Sequence, residues 1–516
     1  QKGCCLRIDS FLGFSMKYFL RLTVCAAALA LTGAIPATAI TPQEVSDSLK
    51  AYYEGAGLTY VIGSQDQSSN SLTQNNIEMS FDMPEDRGVI KLTIDWFKLS
   101  DVGGGKVEVT TAETARFSVD TKSSSDKDVN IQGHITLKDF LTLVSGATDD
   151  MMVDYKVGLA EIATDKMTGG KGDVEGVVAV AISDMASLFH ITKAADKSRT
   201  MDGTTKSGPI TFTADLKKPG GGGVFTVSST IDGISGVASM TMPEHIDFKN
   251  PLSSGMAYDQ VYDLGKSTID ANFDDGGDTF AMTLSSEGGR FAGVMSASGV
   301  SYDISQKGVA MNMSASKLPI PSISLAYDEF SFGLGVPLKK SDTPSDVRLL
   351  TSIRGLMVGE EIWSMVDPGK SLSRDPATIV IDLVGKVMLL TDLSNPENLK
   401  DLKGPPAIPV SVALNELTAI FAGAVLNGSG AVRFNMENTE SAGGMPQPIG
   451  EVNLRLKGGF GLMDKLVELG LVPPDAAMGI RAMSGAFAKP VGDDELESKI
   501  ELTEDGGILA NGQRIK

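Results

Sequence analysis

The feature that most constrains this chain is a hydrophobic period of two residues, which recurs over most of its length. In the clearest case, every second position from Ile379 to Leu389 is an apolar residue or glycine, so one face of an extended strand would be apolar. Roughly twenty to twenty-five runs of this kind follow one another, with turn residues between them. No long alternation of strands with helices is present, so we expect antiparallel sheets.

We therefore predict a mainly β fold of the β-rich α+β class, with antiparallel meanders in two lobes and a few short covering helices. The lobes should part near residues 249–254, giving an N-terminal β-rich lobe at 40–250 and a C-terminal β-rich lobe at 251–516. Helical signals, such as the capping box at 41–44, interrupt the strands. The helices predicted from these signals cover 42–54, 137–144, 184–195, 359–366, 462–469 and 474–488.

Residues 16–39 are predicted to be a targeting segment. Residues 16–21 form a short basic start, residues 22–35 an apolar stretch, and Ala37-Thr38-Ala39 a cleavage site, which is the pattern of a signal peptide. The apolar stretch is shorter than the ~20 residues that a membrane-spanning helix needs. We therefore expect upstream read-through at 1–15, a cleaved signal peptide at 16–39, and a mature periplasmic chain without a transmembrane segment.

Charge and cysteine content narrow the class of partner. The 516 residues include 45 basic and 65 acidic ones, for a formal net charge of −20, so nucleic acid is not an expected partner. The three cysteines, Cys4, Cys5 and Cys25, all lie in the predicted leader. The mature chain would therefore be acidic and cysteine-free, without disulfide bonds or thiol chemistry.

Sequence signatures of catalysis are missing. The chain contains no G-x-S-x-G elbow, no dinucleotide-binding fingerprint and no helical H-E-x-x-H motif. His134, His190 and His245 are far apart in sequence, and zinc sites usually take several His or Cys ligands. Acidic pairs are so frequent that none can be singled out. We therefore predict no catalytic residue, no cofactor and no metal site.

Short motifs follow one another in the second half: IWSMVDP at 362–368, RDPAT at 374–378, VGK at 384–386, NGSG at 427–430 and DGGILANGQR at 505–514. In this order they resemble a family of uncharacterised exported alphaproteobacterial proteins, catalogued as domain of unknown function (DUF) 2125. The resemblance implies a Gram-negative envelope location and no activity, because the family has none assigned. The residues that we take as its structural motif are Trp363, Asp367, Pro368, Arg374, Asp375, Pro376, Gly385, Asn511 and Gly512.

Three functional hypotheses remain open. The first is a non-enzymatic envelope protein that binds or carries an apolar or lipid-like molecule, or acts as a scaffold, in an oligomeric state that we leave open. The second is a periplasmic hydrolase that uses carboxylate chemistry. The third is an outer-membrane β-barrel, which the aromatic content of only 6% and the C-terminal Arg514-Ile515-Lys516 disfavour.

The apolar strand faces allow two arrangements, because helices able to cover them are few and short. We favour a closed sandwich, in which the faces pack on each other, over a curved sheet with an open apolar groove. The 23 methionines would suit the adaptable lining of such a groove.

Trp363 is predicted to be a core plug. With Ile362 and Val366 it should form the apolar stripe of a short helix, so Trp363→Ala should cost about 3–5 kcal/mol of stability.

Overall fold

The computed structural model describes residues 40–83, 87–121, 128–169, 172–217, 222–247, 250–400, 402, 404–435 and 446–516. The predicted read-through and signal peptide, with all three cysteines, lie outside the described residues. The fold is mostly β, with 65% of residues in strands and 11% in helices, and the sheet is antiparallel, which confirms the predicted class. Among the described helices, none is both long and apolar enough to cross a membrane.

Within the described ranges, 28 strands join into one sheet. Those of the first half are β1 (Thr59–Gln67), β2 (Ser71–Asp82), β3 (Gly88–Gly103), β4 (Lys106–Thr111), β5 (Thr114–Thr121), β6 (Val129–Lys138), β7 (Leu141–Ala147), β8 (Asp150–Gly169), β9 (Gly172–Lys193), β10 (Arg199–Lys206), β11 (Ile210–Lys217), β12 (Val224–Ile231) and β13 (Ile234–Met242). Those of the second half are β14 (Ala257–Leu264), β15 (Ser267–Asp274), β16 (Thr279–Ser286), β17 (Gly288–Ser296), β18 (Gly299–Ala315), β19 (Ile323–Pro337), β20 (Ser345–Val358), β21 (Ala377–Leu389), β22 (Ala407–Phe421), β23 (Ala424–Asn435), β24 (Gln447–Lys457), β25 (Lys489–Gly492), β26 (Glu495–Leu502), β27 (Ile508–Ala510) and β28 (Gln513–Arg514).

Four α-helices accompany the sheet in the described part of the chain. They are α1 (Pro42–Gly55), α2 (Glu360–Val366), α3 (Gly459–Glu468) and α4 (Pro474–Phe487), and a 3₁₀ turn covers Pro396–Leu399. The predicted capping box is present, since the Glu44 N–H donates to Thr41 Oγ1 at 3.3 Å and the Thr41 N–H donates to Glu44 Oε2 at 2.8 Å. The sequence predictions for these four helices are confirmed to within a few residues at each end.

Strands of two lengths divide much of the sheet into two leaves that lie side by side. Long strands such as β3, β9 and β18 each pair, along one edge, with two half-length strands placed end to end. The first leaf contains β4, β7, β10, β13, β14 and β17, and the second contains β5, β6, β11, β12, β15 and β16. Beyond β20 the sheet continues through β21–β24 to β26.

The boundary between the leaves is a crease built from acidic residues and glycines. Where the chain crosses it, in a long strand or between two half-length strands, an acidic side chain lies against a glycine of the adjacent crossing. A Cβ added to that glycine would be 2.0–3.4 Å from the acid. Several of these positions have a positive φ, including Asp139, Asp184 and Gly308, which breaks the regular pleat. The pairs are Asp139–Gly158, Asp184–Gly208, Asp232–Gly265, Glu287–Gly308 and Asp328–Gly355.

Two predicted helices are wrong, and both lie where the chain crosses the crease. Residues 137–144 belong to β6 and β7, and residues 184–195 belong mainly to β9. Asp139 and Asp184 both have positive φ. At Asp139 this interrupts the period of two, so the apolar residues of 137–144 are spaced as in a helix, whereas the second helix is predicted from Asp184 as its N-cap. In the second case Leu188, which would lie on the inward face of the predicted helix, is instead exposed.

The buried core is concentrated around α1. Val45, Leu49 and Tyr53 of this helix pack with buried side chains of β2–β4 and β7–β9. A smaller cluster around Phe117 in the second leaf touches some of the same partly buried residues, among them Leu92. The apolar faces of both leaves therefore turn toward the same side at this end, and we call the face that contacts α1 the inner face.

Strand pairing continues across the proposed lobe boundary. Strands β13 and β14 lie on either side of it and pair along their length, with Val237 opposite Val261. Residues 248–249 lie outside the described residues, and the division into two lobes stays a prediction.

Candidate functional site

An unbroken row of directly paired residues crosses the inner face of the first leaf. Directly opposite residues of antiparallel strands project to the same side, so the register identifies the row from β8 to β27. It spans fourteen inter-strand spacings, or about 67 Å at ~4.8 Å each. Its members are Val153, Phe189, Gly203, Ala238, Gln260, Gly293, Tyr302, Leu334, Leu349, Leu383, Leu414, Gly430, Val452, Ile500 and Ala510.

The inner face is buried at one end of this row and open farther along it. Val153, beneath α1, is completely buried, whereas Leu349 on β20 is 39% exposed. Apolar inner-face neighbours of Leu349 are exposed to a similar degree, among them Ile304, Ile381 and Val412. The closed sandwich that we favoured is therefore wrong for β18–β22, where the apolar face is exposed. We call the inner face of β18–β24 the apolar channel.

Aromatic rings make part of the inner face smooth. Four rings lie directly opposite a glycine on the next strand, and a Cβ added to that glycine would be within 3.3 Å of the ring. Each ring must therefore lie along the sheet, over the glycine, instead of standing away from it. The pairs are Phe117–Gly133, Phe189–Gly203, Tyr262–Gly236 and Tyr302–Gly293.

The polar groups of the channel are neutral. The hydroxyls of Tyr258 and Tyr302 form a hydrogen bond of 2.9 Å, and the Tyr327 hydroxyl donates to Gln306 Oε1 at 2.9 Å. Burial, with a further contribution from this hydrogen bond, raises the pKa of Tyr258, so the phenol stays protonated. No charged residue occupies an inner-face register position on β18–β24.

The outer face of the same strands carries the charge. Ion pairs link the strands there. Arg354 of β20 contacts Glu416 of β22 across β21 at 3.2 Å, and Arg455 of β24 contacts Glu495 of the neighbouring β26 at 2.7 Å. One face is thus apolar and the other ionic, although both are accessible to water. Because a soluble domain normally covers such an apolar face with a second layer, its exposure marks the channel as the candidate site.

Most residues of the predicted family motif meet in the connection between β20 and β21. The Asp367 carboxylate is fully buried and accepts hydrogen bonds from the N–H groups of Ser371 (2.9 Å) and Leu372 (2.8 Å). Arg374 forms an ion pair with it and also donates to the Asp367 and Leu372 carbonyls at 3.0 Å. Burial opposes ionisation of Asp367, but Arg374 and these N–H groups outweigh it and lower its pKa to about 2.

Trp363 is held in the same connection, between two flat groups. The Arg374 guanidinium lies 4.5 Å from the centre of its ring, and Phe421 stacks on it at 6.1 Å with an interplanar angle of 18°. The predicted core plug is wrong, because α2 has no buried residue and Val366 is largely exposed. Trp363 is half-buried at the surface of the sheet.

The two prolines and the second aspartate of this motif also lie in the connection between β20 and β21. Pro368 follows the last turn of α2, and Pro376 precedes β21 directly; both are exposed. Asp375 accepts a hydrogen bond from the Ser373 hydroxyl, whose oxygen accepts one from the Asp375 N–H. These contacts fold the connection on itself, and they give this cluster a structural role.

The other predicted motif residues lie elsewhere. Gly385 is on the inner face of β21, where an added Cβ would be 2.5 Å from the Ser411 carbonyl oxygen of β22. Asn511 and Gly512 both have positive φ and form the two-residue turn between β27 and β28, as Asn-Gly turns do in hairpins. The Asn511 side chain accepts from the Lys499 N–H and donates to the Phe487 carbonyl, which ties α4 to β26.

Sequence reasoning missed two features that position the channel. It found neither the crease nor the continuity of the apolar row, because register is a property of pairs of strands. Acidic residues and glycines in the middle of long alternating runs were the available signal for the crease. Metal ligands were not predicted, and among the described residues no group of three or more His, Cys, Asp or Glu side chains could hold a metal ion.

No family model matches the chain, and no curated protein matches its sequence. The resemblance to the DUF2125 family stays a prediction.

Proposed function

We propose that this protein is a non-enzymatic binding or carrier protein of the bacterial envelope, which holds an apolar or lipid-like molecule in the apolar channel. The observation that carries the proposal is the exposed, uncharged inner face around Leu349 and Ile381. The predicted signal peptide supports a periplasmic location, in which apolar molecules must be shielded from water.

The channel suits a chain-like ligand held by area and not by specific polar contacts. Each methylene group that leaves water contributes about 0.8 kcal/mol, and association costs at least about 4 kcal/mol. A ligand therefore needs more than about five buried methylene groups before it binds at all. Affinity should rise steadily with chain length, because the row offers the same kind of surface on successive strands.

The experiment uses two glutamate variants with equal exposure on opposite faces. Ile381 in the channel is 37% exposed and Val294 on the outer face of β17 is 38% exposed, so neither change buries a charge in a closed core. Saturable binding of an environment-sensitive apolar dye should be weakened at least about tenfold by Ile381→Glu. Val294→Glu should leave it unchanged.

Organic extraction of the purified protein, followed by mass spectrometry, should recover an apolar molecule in stoichiometric amount. If extraction yields none and both glutamate variants bind the dye like the parent protein, the channel is not a ligand site. A screen against ester, phosphate and glycoside substrates tests the hydrolase hypothesis separately, because turnover there would not depend on Ile381.

A further inference from the structure

The outer face of the same strands contains a second, separate depression. It has a volume of about 800 Å³ and extends from β18 to β24, which is about 29 Å across seven strands at ~4.8 Å spacing. Most of its lining residues, such as Arg348 and Val384, occupy outer-face register positions. We call it the outer trough. Its volume is in the range of small-molecule sites.

The floor of the outer trough is made by small apolar side chains. Val384, Ala413 and Ala431 lie directly opposite one another on β21, β22 and β23. On β20 the same row continues with Arg348, whose charged side chain ends the apolar floor between Val384 and Gly335 of β19. Longer side chains on both sides leave a shallow apolar strip that runs across the strands.

The adjacent register row carries the positive charge. Lys386, Ser411 and Arg433 lie directly opposite one another on the same three strands, two residues along from the floor. The two long cationic side chains therefore flank the Ser411 hydroxyl. An anion placed there would meet two charged donors and one hydroxyl.

The trough is less acidic than the chain as a whole. Its lining contains Arg348, Lys386 and Arg433 against Asp303 and Asp346, and the Glu504 partner of Arg433 makes this group neutral in a chain of −20. The present partners of the two cations beside Ser411 are exposed acids, with Asp346 at 2.6 Å from Lys386 and Glu504 at 2.8 Å from Arg433. Exposed pairs of this kind contribute about 1 kcal/mol or less, so a ligand anion can replace them.

We propose that the outer trough binds an amphipathic anion with a single apolar chain. The chain lies along Val384, Ala413 and Ala431, and its anionic group lies between Lys386 and Arg433. Carboxylates and phosphate monoesters share the required chemistry. This site is on the opposite face from the apolar channel and does not depend on the function proposed for it.

The test compares three probes that share a twelve-carbon chain: dodecanoate, dodecyl phosphate and dodecanol. The two anions are used below their micelle-forming concentrations and the alcohol below its aqueous solubility. Equilibrium dialysis should show tighter binding of at least one anion than of the alcohol. That binding should weaken as salt rises from about 50 mM to about 500 mM, because exposed charges are screened. Comparison of the two anions identifies the preferred head group.

Three variants assign the binding to the trough. The double change Lys386→Gln, Arg433→Gln should weaken anion binding about tenfold and leave dodecanol unchanged, and Ala431→Phe should weaken all three probes. Arg290→Gln is the matched control, since Arg290 is also an exposed outer-face cation with an acidic partner, Asp263 at 3.1 Å.

Anion binding that survives both the double change and Ala431→Phe, or that falls equally with Arg290→Gln, overturns the proposal. Ile381→Glu separates the two sites. It should weaken binding in the channel and leave the salt-sensitive binding of the anions in the outer trough unchanged. A failure of the channel therefore cannot be mistaken for a failure of the trough.

Discussion

The loss of stability caused by Leu49→Ala, compared with that caused by Leu349→Ala, tests whether the inner face is covered around α1 and open in the channel. Leu49 of α1 is 5% exposed and packs in the core, whereas Leu349 lies on the same face in the channel. Removing three buried carbons costs about 2.4 kcal/mol at ~0.8 kcal/mol each. The enclosed cavity left in the core brings the cost of Leu49→Ala to about 3–5 kcal/mol.

Leu349→Ala should cost much less. The side chain already reaches water over more than a third of its surface, and its removal leaves a notch that solvent can fill. We expect a cost of about 1–1.5 kcal/mol.

Hydrogen exchange followed by mass spectrometry measures both changes as local opening free energies, in peptides from α1 and from β20. Leu49→Ala also serves as the positive control for the size of a core effect. If Leu349→Ala lowers protection in β20 as much as Leu49→Ala does in α1, the channel is covered in solution and our reading of the face is refuted.

Three further predictions concern other parts of the sheet. Trp363→Ala should destabilise the β20–β21 connection by about 1–2 kcal/mol, less than a core aromatic, and unchanged exchange there would contradict its packing role. Because the folded pKa of Asp367 is lowered to about 2, its contribution to stability is present above the unfolded value of ~3.9 and is lost as the pH falls through about 2. In Asp367→Asn, the urea midpoint should therefore depend less on pH between about pH 5 and pH 2 than it does in the parent protein. An unchanged dependence on pH would count against this assignment. Gly288 and Gly276 both have positive φ, but a Cβ added to Gly288 would be 2.7 Å from a backbone carbonyl oxygen, whereas one added to Gly276 would meet open space. Gly288→Ala should therefore lower the thermal midpoint more than Gly276→Ala. Equal shifts would argue against crowding at the crease.

The period of two was sufficient to predict the fold class and most of the strands. Ile379–Leu389 is one strand with one apolar face, as predicted, because this alternation requires nothing from distant residues. The helices with strong local signals were predictable for the same reason, as the Thr41–Glu44 capping box shows.

The candidate site was harder to predict, since it depends on the register between strands. Nothing within β20 reveals that Leu349 is exposed, because an apolar strand face reads the same whether or not a second layer covers it. Leu188 shows the converse error, in which an exposed apolar residue near the crease imitated a helix stripe. The outer trough needed three strands in register before Lys386 and Arg433 came together.

The two-leaf sheet also determines how this protein unfolds. Most strands pair with partners close in sequence, and each contacts only its immediate neighbours across the sheet, as in a solenoid. Stability is then a sum of nearest-neighbour interfaces, and no single free energy of unfolding describes the whole chain. Among the described residues, the larger buried cluster lies beneath α1 and spans β2–β4 and β7–β9. The sheet should therefore fray from β26–β28 inward, and strands such as β20 can open and close while the α1 end stays folded.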